Sequence, residues 1–140
     1  MASNELLPSN VLTDSDIKIL EDAGQAILNG LALKEQPSKL RLELVEIQAL
    51  RFEVGRRFNI YKGFARDLAG EKFRALKNGT PGVKGVSPNA ASKEVEHDEE
   101  VIKYKNTRDL FETAYEVMEA FVNTNQTSLR LAAEEAKNTL

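Results

Sequence analysis

The sequence contains no cysteine, no tryptophan and a single histidine in 140 residues. These absences exclude disulfides, thiol nucleophiles and cysteine-based zinc sites. With His97 as the only imidazole there is no serine–histidine–aspartate set to choose from. A cysteine-free chain fits a reducing cytoplasm. No apolar run approaches the roughly 18–20 residues that span a bilayer. Residues 1–5 (Met-Ala-Ser-Asn-Glu) lack a basic n-region, a secretory core and a myristoylation glycine. The reading is a soluble protein of the cytoplasm, or of the host cytoplasm if phage-encoded, with no membrane partner. No cofactor is expected and no enzyme, because no catalytic constellation survives inspection.

What is present is charge, unevenly placed. The formal net charge is −3. Residues 51–84 nevertheless carry nine Lys/Arg against three Asp/Glu, and residues 93–119 carry nine acids against four bases. An acidic average therefore does not exclude a polyanion partner, since the local patch decides.

The apolar pattern is helical throughout. Residues 1–12 read as a flexible arm. Thr13 is an N-cap with Asp14 and Asp16 in the first turn, and Ile17, Leu20, Gly24, Ile27 and Leu31 give a short packing helix. After Pro37, the residues Leu40, Leu44, Ile47, Arg51, Val54, Phe58, Tyr61, Ala65 and Leu68 alternate by four and three. Leu42, Leu50, Phe52 and Phe64 widen that arc, which favours a bundle or ring over a simple zipper. Gly63 or Gly70 is expected to break or bend the helix. Residues 78–91 are a Gly/Pro-rich loop, read as mobile with a hairpin as the alternative.

A second seam follows over residues 92–137, with its start at Ser92 or Asp98. It runs Val101, Tyr104, Arg108, Phe111, Tyr115, Met118, Val122, Asn125, Leu129, Ala132 and Ala136. Arg51, Arg108 and Asn125 occupy positions where aliphatic residues are expected. Either they set register and oligomer state, or the frame slips and Leu50 and Leu110 take the buried places. The fold class is all-α: a short N-terminal helix and two long amphipathic helices in one domain, oligomerising as a bundle or ring. Phe111, Tyr115, Met118, Val122 and Leu129 are the expected oligomerisation residues.

Among chemical signals, the acids Glu94, Glu96, Asp98, Glu99 and Glu100 lack the alternating ligand loop of a calcium site and read as a solvated cap. The glycines of residues 79–85 lack the strand and Lys-Ser/Thr of a phosphate loop. The basic set Arg56, Arg57, Lys62 and Arg66, interleaved with Phe58, Tyr61 and Phe64, suits single-stranded nucleic acid: cations track phosphates and an exposed ring stacks a base. The plain alternative is a solvated helix face paired with the acidic carboxy-terminal helix.

The run Ile60-Tyr61-Lys62-Gly63 ending a basic helix, the turn-rich linker, and Asp98-x-x-Val101-Ile102-Lys103 opening a long terminal helix resemble the UvsY recombination mediators of T-even-like phages. The resemblance spans residue 38 to the C-terminus. It implies a small helical, ring-forming protein that binds single-stranded DNA. Such a protein loads a RecA-like recombinase onto DNA covered by a single-strand-binding protein. By position, Arg57, Tyr61 and Gly63 fall on the family's arginine, second tyrosine and glycine. Gly55 stands in place of its lysine, with Arg56 beside it, and Ile60 in place of its first tyrosine. The alternatives are a phage structural or DNA-packaging ring subunit resembling a small terminase, and a coiled-coil interaction module without nucleic acid.

Overall fold

The computed structural model describes residues 9–139, apart from the side chains of residues 132, 136 and 139. It is all-α: α1 (Asp14–Ala32), α2 (Pro37–Asn78), α3 (Pro88–Glu96) and α4 (Glu99–Thr139). No strand occurs among the described residues, and no helix is long and apolar enough to cross a membrane. The chain forms two compact units. Among the described residues, the first comprises residues 9–12 and 57–110, the second residues 13–56 and 111–139.

In the second unit α1, α2 and α4 share a core. Leu40, Leu44, Ile47 and Val54 of α2 and Phe111, Met118 and Val122 of α4 are each at most 4% exposed. Arg51 completes the row half-buried, its guanidinium 5.7 Å from the centre of the Tyr115 ring. Leu50 beside it is half-buried as well, so the two share this place in the row, the Arg51 cation meeting a π face instead of an aliphatic neighbour. The helix α1 departs from its expected packing. Ile17, Gly24 and Leu31 are exposed, whereas Ala23, Ala26 and Gly30 are buried. These small residues let α1 lie close: a Cβ on Gly30 would come within 2.7 Å of Phe121 Cζ. A capping box starts the helix. The Thr13 hydroxyl accepts from the Asp16 N–H, and the buried Asp16 carboxylate accepts from the Thr13 N–H.

In the first unit Tyr61 and Ala65 of α2, Ala91 and Val95 of α3, and Val101 and Thr107 of α4 are buried. Partners run antiparallel, with Tyr61 and Phe64 near Tyr104 and Lys72 near Asp98. Of the expected arm, residues 1–8 lie outside the described residues. The remainder is tied to α4, because the Val11 N–H donates to the Thr107 hydroxyl and the Asn106 amide to the Ser9 carbonyl. Arg108 stays half-buried and Leu110 is 43% exposed, so the frame does not slip there.

The connection between the long helices is shorter and more structured than expected. Thr80 and Val83 exchange both backbone hydrogen bonds across Pro81-Gly82, with Gly82 at φ 82° as a type II turn requires. The loop ends at Ser87, whose hydroxyl accepts from the Ala90 N–H and caps α3, with Pro88 in its first turn. The final helix therefore begins at Glu99, not Ser92. Nor does α2 break at Gly63 or Gly70. Burial of Tyr61, Ala65 and half of Leu68 along one side offsets a propensity cost of about 1 kcal/mol per glycine.

Two substitutions test this packing by urea unfolding. At Gly63 a Cβ would meet nothing within 4 Å, so Gly63→Ala should stabilise by about 0.5–1 kcal/mol. Gly30→Ala should lower stability, because the added methyl collides with the Phe121 ring. Equal effects would contradict the close approach of α1.

Candidate nucleic-acid interface

The four expected cations do not share one face. Nine residues separate Arg57 from Arg66, about two and a half turns, so they point to roughly opposite sides of α2. Arg57 is half-buried and engaged within the chain. Arg56, described with the second unit, bonds Glu53 one turn earlier through both Nε and Nη2, the shorter contact being 2.6 Å. Its pKa is raised by that hydrogen bond and by the carboxylate charge. Lys62 and Arg66 do lie one turn apart on one side. Lys62 sits 5.9 Å from the Phe58 ring centre, and Arg66 pairs with its neighbour Asp67.

The expected interleaving of rings and cations resolves into separate places. Tyr61 is buried, Phe58 is half-buried beneath Lys62, and Phe64 is 52% exposed. The Phe64 ring meets Tyr61 and Tyr104 edge-on at 6.0 and 6.1 Å. Phe64 follows Lys62 by two residues, which puts it on the far side of the helix from that cation.

Because α2 continues without a break, it builds a row that the sequence reading divided. Asn59, Gly63, Arg66, Gly70, Arg74 and Lys77 step by three and four within the first unit, with Lys62 beside them. Arg66, Arg74, Lys77 and Lys62 are exposed. Both glycines have ordinary helical backbone; only Gly79 and Gly82 take positive φ. Nothing approaches the Gly63 Cβ position within 4 Å, and at Gly70 only the tip of Arg74 does, at 3.4 Å. Neither packing nor backbone conformation calls for glycine at these places. They leave a bare strip of helix between cations. Lys77 and Arg74 were missed as members of this row because a helix break was expected before them.

One further cation of this segment is neutralised. Lys72 bonds both oxygens of Asp98 at 2.9 Å and Glu100 at 2.9 Å. Asp98 also caps α4 by accepting from the Val101 N–H. The Lys72 hydrogen bond, and after it the Val101 N–H, hold the Asp98 carboxyl below its ordinary pKa; Asp98 and then Glu100 raise that of Lys72. Among the described residues no three His, Asp or Glu converge to hold a metal ion. His97 is exposed at the end of α3.

The expected oligomerisation residues divide by burial. Phe111, Met118 and Val122 are covered inside the second unit and have no surface left for another chain. Tyr115 and Leu129 are half-exposed. No family model matches this chain, and neither the curated proteins nor the solved structures contain a match.

The junction at Asp98 gives a pH-dependent test. Asp98→Asn retains a good N-cap but loses the ion pair, costing under about 1 kcal/mol at neutral pH because the pair is partly exposed. The lowered Asp98 pKa means that this stability is present above about pH 4 and is lost as pH falls through the lowered value. The raised Lys72 pKa retains it up to about pH 10 and loses it as pH rises through the raised value. Melting curves of the two proteins should therefore converge in acid. A gap that persists at the lowest pH would mean that the carboxylate's charge is not what stabilises the junction.

Proposed function

We propose that this protein is a non-enzymatic accessory factor that binds single-stranded DNA along α2. The role implied by its resemblance to the UvsY mediators is to assist loading of a RecA-like recombinase onto strands covered by a single-strand-binding protein. The observation that carries the reading is the exposed row of Lys62, Arg66, Arg74 and Lys77 around the bare helix at Gly63 and Gly70. Glycine lets a ligand come close to a protein backbone, and clustered cations gain affinity by releasing counterions from phosphates. The partner that Arg66 now has is an adjacent, exposed carboxylate. Such pairs contribute about 0–1 kcal/mol, so exchanging the carboxylate for a phosphate costs little. The row is one cation wide and follows a single backbone more naturally than two strands across a groove. Self-association, also implied by the resemblance, would multiply weak contacts through effective concentration.

Labelled oligonucleotides in a salt series test this reading. Single strands should bind at low salt, and affinity should fall as salt rises. Replacing both Arg66 and Lys77 with Ala should flatten the log–log salt slope by roughly one to two, at about 0.7 per phosphate contact on a single strand. Gly63→Leu should also weaken binding while leaving helicity intact, and Arg57→Ala should change it little. Absence of single-strand binding at low salt would refute the proposal. A preference for duplex would instead favour the packaging-subunit alternative.

A further inference from the structure

The second unit exposes an apolar row that its own core does not use. Leu42, Val45, Ala49 and Phe52 step by three, four and three along α2, away from the buried seam. Leu42, Val45 and Phe52 are 71%, 65% and 77% exposed. Large apolar side chains left open in one contiguous line mark an interaction surface, and this spacing is that of a coiled-coil seam. Arg41 flanks the row on one side and Glu46 on the other. Both are exposed, and neither makes an ion pair or hydrogen bond among the described residues.

We propose that this row docks on the same row of a second copy of this chain, with the two α2 helices side by side and parallel. The flanking charges select both the partner and the direction. In a parallel coiled-coil register a residue flanking the seam reaches the opposite flank five residues further on in the neighbour. Arg41 of each copy then meets Glu46 of the other, and two-fold symmetry makes the pair twice. An antiparallel arrangement sets Glu46 against Glu46 at its centre, which repels. The exposed residues Ile17, Leu28 and Leu31 of α1 form a poorer candidate, because Glu21 and Gly24 interrupt their row. The pairing rests on no assumption about nucleic acid. It uses none of Phe111, Met118 or Val122, which the chain already covers.

Sedimentation equilibrium of the full chain, without nucleic acid, tests the pairing. The wild-type protein should self-associate. Phe52→Glu should weaken association by at least about a hundredfold, since it removes a buried ring from both copies, while far-UV circular dichroism stays unchanged. Leu42→Gln is the milder companion should Phe52→Glu disturb folding. Arg41→Glu should weaken association on the order of fivefold, as expected for two exposed ion pairs, and Arg41→Glu with Glu46→Arg should restore it. A wild-type chain that stays monomeric at every concentration overturns the proposal. So does association that survives Phe52→Glu and Leu42→Gln but is lost with Leu28→Glu. Failure of the charge exchange to restore pairing overturns the parallel register.

Discussion

Everything else in this protein depends on the burial of the α2 seam against α4. In the second unit its fully covered residues are Ile47 and Val54 on one helix and Phe111 and Val122 on the other. In the first, Tyr61 meets Tyr104 of α4, and Ala65 and Val101 are buried. Removing such side chains from water is worth about 1.5–3 kcal/mol each, more than a typical neutral hydrogen bond at about 1 kcal/mol or a surface ion pair at about 0–1 kcal/mol. That margin lets α2 carry helix-interior glycines and an arginine within the seam. It also decides what remains available to partners. Since the seams close within the chain, the opposite side of α2 is left as its outer surface.

The two seams were legible because three-four periodicity over many turns admits few alternatives. Each seam position of α2 is buried or half-buried, as is each α4 seam position whose side chain is described, whereas Leu42, Phe52 and Phe64, expected to widen the buried arc, are exposed. The packing of α1 was not legible. Its signal there is the smallness of Ala23, Ala26 and Gly30, and small residues contribute almost nothing to an apolar period; at Gly30 the reason is the Phe121 ring on another helix. The unbroken course of α2 was missed for the opposite reason, since a local propensity cost at Gly63 and Gly70 was weighed without the tertiary burial that exceeds it. The short helix α3 was hidden in turn-forming residues, although Ser87-Pro88 carries an N-cap followed by a first-turn proline.

The candidate site was half-visible. The sequence marked Arg56, Arg57, Lys62 and Arg66 as one basic set, of which Lys62 and Arg66 lie one turn apart on one side of the helix. Arg57 falls on the other side, a consequence of helical geometry that a list of nearby cations conceals. Lys77 joins the row only because the helix persists. The rings follow a similar rule: Tyr61 belongs to the core, and Phe64, although half-exposed, faces away from Lys62. Charge, more than stacking, thus supports an anionic partner, and the glycines at 63 and 70 supply a reason for that partner to come close to the helix itself.

The central functional claim is a location: single-stranded DNA on the Lys62–Lys77 row of α2. Photocrosslinking with an oligonucleotide carrying 5-iodouracil, followed by peptide mass spectrometry, measures that location directly. Crosslinks concentrated in the peptides spanning residues 58–78 are the expected result. Crosslinks confined to α1 or to the carboxy-terminal part of α4, or none at low salt, would contradict the account.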